Sequence, residues 1–183
     1  MNILIQNAGV ILRDYLPEDV EIYLRWMVSG KWRQTDAPWK REQNPPDLEK
    51  IRQKFLENRG VEQPFPRQKA LIATSSNVPI GRLNLFPNDG SEEAWSIGIA
   101  ICEDDYLGEG LGTEALKFWV DYQFSNSNYH RLGLETWSFN KSMIRVAEKV
   151  GFKLEGIQRE VRKWQGEWLD HYLYGILRAD WEG

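Results

Sequence analysis

Apolar and polar positions along this chain fall into short segments whose periods can be read one at a time. Val10-Ile11-Leu12 is an apolar run closed by Arg13, the pattern of a short buried strand. Pro17-Glu18-Asp19 opens a helix, since proline fits a first turn and acids suit the positive end of the dipole. Val20, Tyr23, Leu24 and Met27 recur at helical spacing and mark its buried face. From Ser29 to Pro46 no period holds. That stretch reads as a loop, either a flap over a substrate site or plain solvated surface. Asp47 can cap a second helix with Leu48, Ile51 and Phe55 on one face.

Gly60 to Arg67, with Pro64 and Pro66, is a connection. Lys69–Thr74 and Ile80–Phe86 are expected to pair through Ser75-Ser76-Asn77, and a second turn at Pro87-Asn88-Asp89-Gly90 leads to a strand from Ala94. A helix follows with Ala115, Leu116, Trp119 and Val120 as its apolar stripe. His130–Phe139 reads as a strand. Asn140–Val150 is a helix with Ile144, Ala147 and Val150 inward, stopped at Gly151. Lys153–Trp164 and Trp168–Leu177 form a hairpin turning at Gln165-Gly166. The order is strand, two helices, three strands, helix, strand, helix, two strands: a mixed α/β chain with one long sheet.

Composition narrows the function classes. At 183 residues the chain suits one domain, 1–183, and 42% hydrophobic with 27% charged residues is ordinary for a protein with a core. A net charge of −4 gives a nucleic-acid role no electrostatic support. Cys102 is the single cysteine, which rules out an internal disulfide, and with two histidines it makes no metal-ligand spacing. No signal sequence or long apolar run stands out, so a cytoplasmic protein without a membrane partner is expected.

The stretch with the most chemistry runs from Ile97 to Leu116. An apolar strand and an acidic turn lead into Leu107-Gly108-Glu109-Gly110-Leu111-Gly112-Thr113, which opens the helix. Glycines let a backbone approach a ligand, and a helix start offers unpaired N–H groups to phosphate. The spacing fits neither a dinucleotide fingerprint, where Thr113 would be the third glycine, nor a Walker A loop. A phosphate-bearing cofactor and a plain strand-to-helix connection both remain open on these residues alone.

Together with Asn140-Lys141-Ser142-Met143-Ile144-Arg145-Val146-Ala147-Glu148-Lys149-Val150-Gly151-Phe152, the loop resembles the GNAT superfamily of acyl-CoA-dependent N-acetyltransferases. The loop corresponds to that family's Q/R-x-x-G-x-G/A, with Leu107 in the leading position. The second run corresponds to N-x-x-S-x-x-x-x-E-K-x-G-F. The ending, Gly166-Glu167-Trp168-Leu169-Asp170 through Leu173-Tyr174-Gly175-Ile176-Leu177-Arg178, is similar to the RimJ/RimL type, the ribosomal-protein N-terminal-alanine acetyltransferases.

The resemblance implies a mostly antiparallel sheet of about seven strands with about four helices and two splayed central strands. It implies acetyl-CoA as co-substrate, held by backbone groups of Ile99, Ala100 and Ile101 as an added strand is held. Leu107, Gly108, Glu109, Gly110, Leu111, Gly112 and Thr113 would surround the pyrophosphate, and Asn140 would contact the cofactor or cap its helix. The acetyl-CoA part spans about 94–152 and the acceptor-shaping part about 1–68.

Catalytic groups transfer less directly. Where RimL-like enzymes often carry Glu before the loop, this chain has Ser96; the motif serine falls at Met143, and the tyrosine of other members at Ala147. Glu135, sharing a strand face with Gly133 and Trp137, is the leading base, and Ser142 the acid for the leaving thiolate. Glu92, Glu93, His130 and His171 are further bases, proximity alone could supply much of the rate, and Cys102 reads as a small buried residue.

The acceptor is expected to be a protein N-terminus or a small polyamine or aminoglycoside-like amine. Trp26, Trp32, Trp39, Asp36 and Glu135 could build an aromatic and acidic pocket for it. A second copy of the chain is a further partner to test. The alternative function is a non-catalytic acyl-CoA-binding regulatory module.

Overall fold

The computed structural model describes residues 2–7, 9–57, 64–88 and 92–182. Eight strands among them form one sheet: β1 Ile3–Gln6, β2 Val10–Arg13, β3 Lys69–Thr74, β4 Pro79–Pro87, β5 Ala94–Ile101, β6 Arg131–Trp137, β7 Lys153–Trp164 and β8 Glu167–Leu177. Seven helices accompany them: α1 Val20–Val28, α2 Trp32–Thr35, α3 Pro38–Gln43, α4 Leu48–Glu57, α5 Leu111–Ser125, α6 Lys141–Val150 and α7 Arg178–Glu182. The strand order is β1-β2-β3-β4-β5-β6-β8-β7. Every neighbouring pair is antiparallel except β5 and β6.

Against about seven strands and four helices expected, the additions are β1, α2, α3 and α7. All are four to six residues long, too short to declare a period. The turn read at Pro87-Asn88-Asp89-Gly90 and the connection from Gly60 lie partly outside the described residues.

The sheet carries helices on both faces. Leu83 and Leu85 of β4 and Ile97 of β5 pack with Ala115, Leu116, Trp119 and Val120 of α5 and with Ala147 and Val150 of α6. The four α5 residues are fully buried, so the stripe read from the sequence is the core face. Burying each large side chain contributes about 1.5–3 kcal/mol. On the other face Trp26 of α1 and Trp32 of α2 pack over Ile11, Leu71, Ala73 and Cys102. Here the buried Arg13 carboxylate partner is Asp19, at 2.7 and 2.9 Å, and Asp19 also accepts from the Leu16 N–H at 2.6 Å.

The stretch from Ser29 to Pro46, expected as an irregular loop, is two short helices lying across this second face. Trp32 is 5% exposed and Trp39 3%. Trp39 meets Trp137 at 4.8 Å and Trp164 at 5.6 Å. Such helices are too short to persist alone, so these buried indoles anchor the arm.

The other boundaries follow the local chemistry. Asp47 caps α4, its carboxylate accepting from the Lys50 N–H at 3.0 Å. The β7–β8 turn has Gln165 and Gly166 both at positive φ, as a tight hairpin turn requires. No helix among the described residues is long and apolar enough to cross a membrane.

Candidate active site

The two central strands pair only over Ala94–Ser96 with Arg131–Gly133. Beyond that, β5 keeps β4 as its partner and β6 keeps β8, and the strands part. The splay expected from the resemblance is therefore present.

Strand parity decides which backbone groups face the gap. Cys102 N–H donates to the Ile80 carbonyl at 2.7 Å and Asn88 N–H to the Ala94 carbonyl at 3.1 Å. In the unbroken β4–β5 register, even-numbered residues of β5 thus turn their N–H and C=O groups toward β4. Ile99 and Ile101 turn theirs into the gap. Ala100, expected to offer its backbone to the cofactor, pairs instead with Arg82 of β4, although it lines the opening.

The glycine loop closes one end. Among the described residues the N–H groups of Gly108, Glu109, Gly110, Leu111 and Gly112 meet no acceptor in the protein, whereas Thr113 and Glu114 donate to the Gly110 carbonyl at 3.0 and 3.1 Å. Gly108 and Gly110 hold φ of +87° and +83°, and a Cβ at either would meet nothing within 4 Å. The loop is an open concave row of donors at the positive end of the 15-residue α5. A Cβ on Gly112 would lie 3.4 Å from Ile101, which sets how closely α5 approaches β5.

Gap, loop, α2 and α6 enclose a cavity of about 580 Å³. Of the residues singled out from sequence, Ile99, Ala100, Ile101, Leu107, Gly108, Gly110, Gly112, Thr113, Asn140, Glu135 and Ser142 line it. Glu109 and Leu111 do not; the Leu111 side chain packs into the core while its N–H stays open. Asn140 caps α6, accepting from Met143 N–H at 3.1 Å, and its amide nitrogen donates to the Thr35 carbonyl of α2 at 3.2 Å. With Asn140 as cap, Ser142 in the first turn of α6 is exposed.

Glu135 stands on β6 with Trp137, its side chain 57% exposed and its carboxylate 3.4 Å from His171 Nε2. His171 is held in turn by the Trp137 ring at 4.6 Å and by Gln158 at 3.4 Å. Glu92, Glu93 and His130 do not line the cavity. Cys102 is buried, and desolvation pushes its thiol up to about 12 against the downward pull of nearby Arg82.

The aromatic, acidic cation pocket is not formed as expected. Trp26 is buried in the α1 core with its indole N–H on Glu103, and Trp39 packs against the hairpin. Trp32 lines the cavity, but the guanidinium groups of Arg41 and Arg82 lie 4.5 and 5.0 Å from its ring centre. Arg41 also binds the Asp36 carboxylate. The cavity walls carry Lys31, Arg82, Arg145 and Lys149 against Asp36 and Glu135. None of these cations stands out from sequence as a site residue. Their signals were the Arg82/Asn84 alternation with Leu83/Leu85, and the i, i+4 spacing of Arg145 and Lys149 on the polar side of α6.

A sheet opened between two parallel strands, with a row of unpaired amides at the mouth, defines a domain built to receive an extended, anionic ligand. Residues 10–153 match the family described as the acetyltransferase (GNAT) domain, and the chain belongs to that family. It is 41% identical over 111 residues to the probable N-acetyltransferase YjcK of Bacillus subtilis, covering 60% of this chain and 61% of that one. It is 29% identical over 116 residues to the ribosomal protein uS5 alanine N-acetyltransferase of Escherichia coli, covering 63% and 56%. The matched stretch thus spans under two thirds of those relatives' lengths. The fold is shared with the spermidine N-acetyltransferase of Vibrio cholerae in complex with CoA and spermine. That match has a TM-score of 0.77 at 17% identity, covering 97% of this chain and all of the other.

Proposed function

We propose that this protein is an acetyl-CoA-dependent N-acetyltransferase that acts on a primary amine. The observation that carries the reading is the gap itself, a three-residue parallel ladder that ends where Ile99 and Ile101 turn unpaired backbone groups inward. An extended amide-bearing arm would pair there as an added strand does. The amides of Gly108 to Gly112, with Arg145 and Lys149 of α6, would hold the phosphates.

Acetyl-CoA supplies the acetyl group as an activated thioester. The chain's part is to orient the amine, remove its proton and stabilise developing charge. An N–H facing the gap, that of Ile99, serves the developing oxyanion. Glu135, with His171 behind it, takes the ammonium proton, and Ser142 serves the leaving thiolate. Residues 1–183 act as one domain, in which the arm 29–46 and α1 shape the acceptor side. The acceptors named for related proteins, an alanine of ribosomal protein uS5 and spermidine, support a primary amine.

The test is release of CoA thiol from acetyl-CoA across peptide N-termini, polyamines and small amines. Turnover with any of them supports the reading. Tight CoA binding with silence on every amine would favour the non-catalytic regulatory module.

A further inference from the structure

We propose that the acceptor is a primary amine that also carries a carboxylate, and that the Arg82 side chain binds that carboxylate. The inference rests on the acetyl-transfer reading and names the substrate class for it.

Leu83 and Leu85 of β4 point into the core under α5, which sends Arg82, Asn84 and Phe86 to the opposite face, where all three line the cavity. Arg82 is half-buried, and its Nε is fully enclosed without a hydrogen-bond partner. Arg33 also has an enclosed nitrogen without a partner but does not line the cavity, and Arg178 bonds backbone carbonyls, whereas Arg13, Arg41, Arg67 and Arg131 have carboxylates in Asp19, Asp36, Asp14 and Glu155. Arg82 has none among the described residues. It lies beside Trp32, with Tyr15 and Cys102 as its titratable neighbours. Burial raises both of those groups, so each stays neutral and neither balances the guanidinium.

Of the two carboxylates on the cavity wall, Asp36 is paired with Arg41, and Glu135 stands on β6 as the base that meets the amine. Lys31, the residue before Trp32, adds a second positive charge to the cavity wall. A second ammonium group of a polyamine placed on the β4 side would meet the uncompensated Arg82 guanidinium. A carboxylate would meet a planar fork of donors stiffened by the Trp32 ring, the geometry that favours two parallel hydrogen bonds. Leaving a partly enclosed charge without a partner is costly, and a ligand carboxylate removes that cost.

The test uses matched amines of two to four carbons: glycine, β-alanine and 4-aminobutanoate, each against its amino alcohol and its diamine. The tetrapeptides Ala-Asp-Ala-Ala and Ala-Asn-Ala-Ala, amidated at the C-terminus, form a second arm. The readout is kcat/KM from CoA thiol release, in the wild-type protein and in Arg82→Gln and Arg82→Lys. The carboxylate member is expected to be preferred by roughly ten- to a hundred-fold, the range of a charge-assisted hydrogen-bonded pair. Arg82→Gln should erase the preference through KM, and Arg82→Lys should restore part of it. Preference in the first arm identifies a free amino acid, and in the second an acidic polypeptide N-terminus.

Equal or better use of alcohols and diamines would overturn the inference while leaving acetyl transfer standing. So would an Arg82→Gln variant that keeps the preference, or one that loses only CoA affinity. If no amine releases thiol, acetyl transfer itself fails. Calorimetry of 4-aminobutanoate on CoA-saturated protein then decides the inference: Arg82-dependent binding upholds it, and no binding by the wild type ends it.

Discussion

Replacing Gly110 with Asp separates the backbone strain of the loop from its role as a phosphate cradle. Gly110 sits at φ +83°, and a Cβ there meets nothing within 4 Å, so the unliganded protein has room for the side chain. The folding cost is then the left-handed conformation alone, about 1–2 kcal/mol. That corresponds to a melting temperature lower by roughly 2–8 °C for a chain of this size. Gly166, at φ +90° with equally open space, lies in the β7–β8 turn and does not line the cavity. Gly166→Asp should show the same stability loss and is the control.

Affinity should divide the two variants. A carboxylate about 5 Å from one phosphate charge, at an effective dielectric near 20, is repelled by roughly 3 kcal/mol. This weakens CoA more than about a hundred-fold, and less in high salt. Gly110→Ala should fall between wild type and Gly110→Asp. Titration calorimetry with CoA at two salt concentrations measures all four proteins. If Gly110→Asp binds CoA within twofold of wild type, or if Gly166→Asp loses as much affinity, the loop is not the phosphate cradle.

Glu135→Gln should lower turnover by roughly 10²–10⁴ without changing KM for acetyl-CoA, with partial recovery as rising pH deprotonates the amine in solution. Ser142→Ala should lower it less, and full activity in both variants would move proton transfer to solvent. Asp19→Asn strands the Arg13 guanidinium in the core, and urea denaturation should show a loss of about 3–5 kcal/mol. The Cys102 thiol should ignore a disulfide reagent at pH 8 until the chain unfolds, because burial holds it up to about 12. The folded state keeps that proton, so the stability linked to Cys102 is complete below the ordinary thiol range and declines as pH rises toward 12.

What the sequence disclosed follows from where the physics is local. The α5 stripe, the Asn140 cap and the Gln165-Gly166 turn are each set by residues within a few positions, and each stands as read. The arm from Ser29 to Pro46 is held by Trp39 against Trp137 and Trp164, a contact about a hundred residues away, so no window could reveal its two helical turns.

The site divides the same way. The glycine loop was legible because unpaired amides at a helix start are a local property. Which β5 residues face the gap depends on register with β4, and that moved Ala100 out of the set offering backbone groups. Arg82 escaped because its alternation with Leu83 and Leu85 reads equally as a solvent-facing strand side. Only the arm folding over that side makes it a cavity wall.

The most direct measurement is residue-resolved amide exchange by NMR with and without CoA. Amides of Ile99, Ile101 and Gly108 to Gly112 should slow markedly on binding. Gly98 and Ala100, which already face β4, should change little. Saturating CoA that leaves Ile99 and Ile101 exchanging as before, or protects a different edge of the sheet, would contradict the account.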